Sequence, residues 1–201
     1  MGYIKKIMFS CVLVFLSGLI CAQDYVIFDE EVKGKWYKPD FFKLQFAGNI
    51  GLASIGLGYE WWNEKAQSVL LYGFVPDHKG EAEIHTFTIK NTFRLYKFNL
   101  YDKFNLCPTA GFSVSFEHGE NSYMRVPDKY PDGYYSPNSF YACLNLGVKS
   151  KVDFKEERKF SGLGVFFEVN TLADYVYYNI KAQEDWDDDI LSFALGMNVF
   201  F

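Results

Sequence analysis

The sequence predicts an all-β fold: a closed, antiparallel, up-and-down β-barrel of about eight strands. Apolar residues alternate with small or polar ones along many short segments, which is the two-residue period of a β-strand. Hydrophobic residues make up 49% of the 201-residue chain and aromatic residues 20%, yet beyond the N-terminal leader no continuous apolar run reaches helix-spanning length. Hydrophobicity dispersed in this way is typical of a barrel.

The N-terminal leader has the composition of a secretory signal peptide. Lys5 and Lys6 form a short basic region, and an apolar run over residues 7–20 follows it. This run is shorter than the roughly 20 residues that a helix needs to cross a bilayer, so we expect removal after Ala22 or Gln23 rather than a retained anchor. The predicted divisions of the chain are a cleaved signal peptide (1–23), a short lead-in (24–40) and a barrel (41–201).

The first four strands come after the lead-in. In the fourth of them, Phe87, Ile89 and Phe93 alternate with threonines and basic residues, and only Asn91 lies on the wrong face. Asn63-Glu64-Lys65 predicts a tight turn between the second and third strands. These four predicted strands cover residues 41–47, 54–61, 67–75 and 84–96.

The last four strands are separated by connections of unequal length. The segments 118–138 and 173–189 predict long loops, the first with a turn signal at Pro131-Asp132-Gly133, whereas the charged segment 155–159 predicts a short turn. Connections after the second, fourth and sixth strands are thus short, and those after the third, fifth and seventh are longer, as in a barrel that runs up and down, although the first outer loop is short. These four predicted strands cover residues 105–117, 139–154, 162–170 and 190–201.

The final strand (ILSFALGMNVFF) has one apolar face and one small, polar face, and the chain ends on Phe201. It resembles the closing strand of bacterial outer-membrane β-barrels. The resemblance implies a transmembrane barrel in the cell outer membrane, in contact with its lipid and lipopolysaccharide, and a C-terminal strand that is read by the barrel assembly machinery. It also implies a periplasmic lead-in and long loops outside the cell.

Charged residues on the other face of the strands are then predicted to lie in the lumen. Because unpaired buried charges are costly, we expect them to form a crossed network with trapped water that closes the interior; proton or ion conduction is the alternative. The predicted lumen charge network consists of Lys43, Glu60, Lys90, Arg94, Lys149, Lys151 and Glu168.

Cysteines and histidines do not form a recognisable site. Cys107 and Cys143 lie about six ladder positions apart on neighbouring predicted strands, some 20 Å, so we expect two free thiols that face the lumen. The three histidines, His78, His85 and His118, map near the outer rim without a known ligand spacing, so we expect no metal and no cofactor. The net charge of −5 argues against a nucleic-acid partner.

The long loops favour a binding role. Their aromatic residues suit contact with an extracellular protein or glycan, and segment 118–138 is longer than barrel closure requires. The first hypothesis is therefore a non-enzymatic surface-binding or envelope-stabilising protein. An outer-membrane enzyme that acts on lipid A acyl chains and a soluble periplasmic lipocalin-like carrier remain as alternatives. The candidate extracellular binding loop comprises Tyr123, Tyr130, Tyr134, Tyr135 and Trp186.

Overall fold

The computed structural model describes residues 37–77, 83–101, 104–120, 122–125, 138–154, 160–182 and 191–201. The chain divides into two units, residues 1–38 and 39–201. The predicted signal peptide and most of the predicted lead-in lie outside the described residues. The described architecture is therefore that of the second unit.

The described part of this unit contains nine strands and one helix. The alternating sequence explains the strands, since each carries a repeat of two residues over most of its length. The elements are β1 (Phe41–Ala47), β2 (Ala53–Trp61), β3 (Ala66–Val75), β4 (Ile84–Arg94), β5 (Phe98–Tyr101), β6 (Phe104–Gly119), β7 (Phe140–Asp153), β8 (Gly162–Leu172), α1 (Ala173–Ala182) and β9 (Ser192–Phe200).

Eight of the nine strands close into an antiparallel barrel, as predicted. Barrel strands that are consecutive in the chain pair with each other, β1 pairs with β9, and β4 pairs with β6 across the short β5. The path of paired residues can be followed once around the barrel, starting from Cys107 on β6. It returns to β6 at Glu117, ten residues further along the strand. This stagger requires strands tilted by about 40° and a barrel narrow enough for side chains to fill.

The two faces of the strands have opposite chemistry. Phe112, Phe167 and Leu195 point outward and are 44%, 42% and 58% exposed, whereas Lys90 and Glu168 point inward and are 1% and 2% exposed. The apolar parity therefore covers the outside of the barrel, and the polar parity lines its interior. The end with the β2–β3 turn and the C-terminus is here called the lower end, and the opposite one is called the upper end.

Two elements differ from the sequence-based prediction. The fourth strand was expected to reach residue 96, but β4 ends at Arg94, and the chain resumes pairing with β6 only in β5. The segment 173–189 was expected to be a loop, but it begins with α1, whose Asp174 and Lys181 complement the helix dipole at its two ends. Within the described ranges, no helix is both long and apolar enough to cross a membrane.

Aromatic rings share the interior with the charged side chains because glycines on the neighbouring strands leave room for the rings. A Cβ built on Gly58 of β2 would lie within 2.8 Å of ring atoms of Phe41 on β1. A Cβ on Gly196 of β9 would overlap the ring of Phe166 in the same way. Phe41 also packs against Phe200, with ring centroids 5.3 Å apart. The interior is thus more apolar than its predicted charge network suggested.

We expect Gly58→Ala to destabilise the barrel by about 1–3 kcal/mol, because the added methyl overpacks the ring of Phe41. Phe41→Leu in the Gly58→Ala background should restore part of this loss, since the smaller side chain leaves room. Urea unfolding in detergent micelles measures both. Gly164→Ala, where the nearest atoms lie at 3.2 Å, serves as the milder control. Equal stability of Gly58→Ala and the wild type would contradict the packing described.

Candidate functional site

The middle of the barrel is closed by a buried ion pair. Lys90 on β4 and Glu168 on β8 contact each other across the lumen, and the Lys90 ammonium also donates to Gln45 Oε1 at 3.3 Å. The Lys43 ammonium lies 3.6 Å from the centre of the Phe166 ring, beside this pair. The layer therefore holds two lysines near one carboxylate, and all of these side chains are buried.

The lower end contains a second, partly exposed charge cluster. Lys151 reaches Glu64 at 2.5 Å, Asp153 at 3.5 Å and Glu60 at 3.6 Å. Its ammonium also lies 4.2 Å from the centre of the Phe200 ring. Because these groups retain contact with water, each ion pair of this cluster contributes little to stability. Breaking the fully buried Lys90–Glu168 pair costs more, because it leaves a charge buried without its partner.

The same cluster holds the strained β2–β3 turn. Trp62, Asn63 and Glu64 all have positive φ angles, of 51°, 52° and 62°, a conformation that costs about 1–2 kcal/mol per residue. Arg94 contacts Glu64 at 3.3 Å and donates to the Asn63 carbonyl at 3.2 Å. Burial acts to raise the pKa of Glu64, but the hydrogen bond and charge of Lys151, with the charge of Arg94, outweigh it and hold this pKa below its ordinary value.

All seven predicted network residues thus lie on the inner face, and the structure divides them into two groups. Lys43, Lys90 and Glu168 form the middle layer, whereas Glu60, Arg94 and Lys151 belong to the lower cluster. Lys149 lines a cavity of about 30 Å³ within the lower cluster, a space the size of one water molecule. Cys107 borders the same cavity, and it is free and buried, as is Cys143 six ladder positions higher.

The upper mouth is partly covered by the β1–β2 loop, residues 48–52. Ile50 is buried within the barrel mouth, and a Cβ on Gly73 would overlap the Ile50 carbonyl, so the loop backbone lies directly against β3. Tyr141 on β7 donates its hydroxyl to the Asn49 carbonyl at 2.6 Å, and the Asn49 amide contacts Cys143 Sγ at 3.6 Å. The loop is therefore fixed to both sides of the mouth.

An outward-facing hydrogen-bonded chain lies at the upper rim. Tyr72 Oη is 2.6 Å from His85 Nδ1, and His85 Nε2 is 2.8 Å from Glu83 Oε1. His118 lies opposite His85 in the β4–β6 ladder. Three or more potential metal ligands do not converge anywhere in the described part of the chain. His78, the third histidine, lies outside the described residues.

Asn91, which did not fit the predicted apolar face, has polar neighbours there. Ser68 lies opposite it on β3 and donates to Asn91 Oδ1 at 2.7 Å, and Trp61 Nε1 donates to Ser68 Oγ at 3.1 Å. The amide oxygen is therefore satisfied on the outer surface. The sequence contained a sign of this polar pair, because Ser68 is a polar residue on the same outer parity as Leu70.

The candidate extracellular binding loop is described only in part. The Tyr123 backbone contacts Asn138, with its amide 2.7 Å from Asn138 Oδ1, so the two ends of the β6–β7 connection meet. The other predicted members lie outside the described residues; they are Tyr130, Tyr134, Tyr135 and Trp186.

Sequence reasoning predicted a connection between the first two strands but not its position over the upper mouth, and it missed the Tyr72–His85–Glu83 chain. Both depend on contacts between strands rather than on a motif within one. Two glycines, Gly48 and Gly51, were a sequence signal for a compact loop, and in the structure their φ angles are 81° and 145°. No comparable signal connected Tyr72 with His85.

Comparison with known proteins found no matching protein family, no similar curated protein and no similar solved structure.

We expect Glu168→Gln to destabilise the barrel by about 3–5 kcal/mol, because it leaves Lys43 and Lys90 buried without a carboxylate. Lys90→Met should cost less, since Lys43 can still compensate the charge of Glu168. Urea unfolding in detergent micelles gives both values, and Arg94→Met in the more exposed cluster is the control. A Lys90→Met loss equal to or larger than that of Glu168→Gln would contradict the assignment of one carboxylate to two lysines.

Proposed function

We propose that this protein is an integral β-barrel of the bacterial outer membrane, that side chains close its lumen, and that it acts without catalysis in surface binding or envelope stabilisation. The observation that carries the proposal is the inverted side-chain distribution, with apolar residues outside and acidic and basic ones inside. A water-soluble carrier barrel needs the reverse arrangement, since its outer surface faces water and its cavity holds an apolar ligand.

The dimensions of the apolar surface support the membrane location. β3, β4 and β8 have 10, 11 and 11 residues, and tilted strands of this length span about 25 Å, the height of the apolar band of outer-membrane barrels. Exposed aromatic residues lie at the lower edge of the band, as in an interfacial girdle. They are Trp61, Trp62, Tyr96, Phe98 and Phe160.

The proposed orientation and partners are inferred from the positions of the chain ends. Both ends of the barrel-forming chain lie at the lower end, which we assign to the periplasm, so the upper end and the β6–β7 connection face outward. The outer face of β9 would then contact lipid and lipopolysaccharide, and β9 would be the strand that the barrel assembly machinery reads. Residues of the β6–β7 connection would contact an extracellular protein or glycan.

Leu195→Arg should lower the stability of the barrel in phospholipid vesicles by about 2–4 kcal/mol, because Leu195 lies near the centre of the proposed lipid face. Leu191→Arg, on the same face of the chain but next to the upper end, should cost about 1 kcal/mol or less. Urea unfolding in vesicles measures the two losses. Equal losses, or release of the wild-type protein from cell membranes by carbonate extraction, would refute the membrane location.

One observation favours a second function, an enzyme that acts on lipid A acyl chains. A hydroxyl, an imidazole and a carboxylate in hydrogen-bonded sequence form the arrangement by which a histidine activates a nucleophile or a water molecule. The chain from Tyr72 through His85 to Glu83 has these parts, and it lies on the outer surface where lipid head groups would be.

This second function predicts that overproduction of the protein changes the acylation of lipid A, and that His85→Asn and Tyr72→Phe abolish the change. His118→Asn, which alters the neighbouring histidine outside the hydrogen-bonded chain, should retain it. Mass spectrometry of extracted lipid A provides the measurement. An unchanged lipid A profile on overproduction of the wild type would eliminate the enzyme.

A further inference from the structure

The upper mouth of the barrel contains a cavity of about 360 Å³, here named the vestibule. The β1–β2 loop forms one wall, and side chains of β4, β6 and β7 form the other. Ile50 belongs to the first wall, Thr86, Glu117 and Tyr141 belong to the second, and Val75 lies at the end of β3.

The first wall is held in place before any ligand arrives. Besides the Tyr141 hydrogen bond to Asn49, the Ala47 amide donates to the Leu52 carbonyl at 2.9 Å. The Leu52 amide donates to the Phe74 carbonyl at 3.1 Å, which connects the loop to β3. A ligand that enters the vestibule therefore does not have to order this loop, and less of its binding free energy is lost.

The chemistry of the vestibule is set by Glu117. Its carboxylate accepts a hydrogen bond from Ser122 Oγ at 2.6 Å, and Glu117 lines the vestibule together with Tyr141. Among the residues that the structure describes, no lysine, arginine or histidine comes within ion-pair distance of it. Glu117 differs in this respect from Glu168, Glu60 and Glu64, each of which has a basic partner.

Other charges around the mouth also favour a positive ligand. Over the described residues of the upper end, acidic side chains outnumber basic ones, and such an excess attracts cations toward the opening. The acidic residues are Asp77, Glu83, Glu117, Glu120 and Asp174, and the basic ones are Arg125 and Lys181.

We propose that the vestibule binds a small organic cation that carries hydroxyl groups. Its ammonium group pairs with Glu117, and its hydroxyl groups form hydrogen bonds with Thr86 and with Tyr141, whose hydroxyl oxygen accepts because its hydrogen is donated to Asn49. Its carbon skeleton packs on Ile50 and Val75. This proposal names a class of ligand for the surface-binding role. It rests on the proposed function only for the statement that the vestibule opens to the outside of the cell.

Isothermal titration calorimetry on the purified full chain in detergent micelles tests this. The probes are D-glucosamine, D-glucose and D-glucuronate, which share a ring and differ in charge. We expect D-glucosamine to bind more tightly than D-glucose, and D-glucuronate to give no measurable heat. Glu117→Gln should weaken D-glucosamine binding by about tenfold or more, as the loss of a charged hydrogen bond requires. Glu120→Gln, at an exposed residue of the same end that does not line the vestibule, should weaken it much less, because water and salt screen that charge.

Val75→Trp provides a second variant that keeps the carboxylate and fills the vestibule, so it should abolish D-glucosamine binding. No heat with D-glucosamine on the wild type, equal affinity for D-glucosamine and D-glucose, or unaltered affinity in Glu117→Gln or Val75→Trp would each overturn the proposal. The titration does not depend on cellular location. Carbonate release of the protein would therefore refute the membrane proposal alone, and a silent titration would refute the vestibule site alone.

Discussion

Closure of the sheet is the constraint on which the rest of the structure depends. Once β1 pairs with β9 and β4 with β6, each of the eight barrel strands has a neighbour on both sides, and no edge in the described barrel is left to pair with another chain. Closure with a ten-residue stagger also gives each strand only two environments, a narrow interior and an outer surface. The two-residue period of the sequence then assigns every side chain to one of them.

The narrow interior explains the composition of the inner parity. The Glu168 side chain occupies the space above Gly147, and the ring of Phe166 occupies the space above Gly196. The carboxylate of Glu168 must be close to the ammonium of Lys90, because neither group can reach bulk water. In the middle layer, each charged side chain therefore needs both an opposite charge and a space that fits it. At the lower end, water can solvate the charges and fill the gaps, so neither condition is as strict.

Strand positions could be predicted because parity is a local property. The orientations of outer residues such as Phe112 and inner residues such as Lys90 are determined by the alternation of their own strands. The pairing of Lys90 with Glu168 could not be predicted, since 78 residues separate them in the chain. Which side chains meet across the lumen depends on the stagger of the strands and on the rotamers that reach across it. The same holds for Tyr72 with His85, which become neighbours only through the β3–β4 register. α1 was missed because its apolar and aromatic residues, four of them consecutive at 175–178, do not repeat at the 3.6-residue period of an amphipathic helix.

The seam between β1 and β9 joins the first strand of the barrel to the last one synthesised. A chain released up to β8 has two open edges of polar backbone and a row of apolar side chains, a combination that invites aggregation. The barrel can therefore close only after β9 has been synthesised, and a nascent chain has to be kept apart from its copies until Phe200 is available. A truncation of a few C-terminal residues would thus harm the whole molecule rather than one strand.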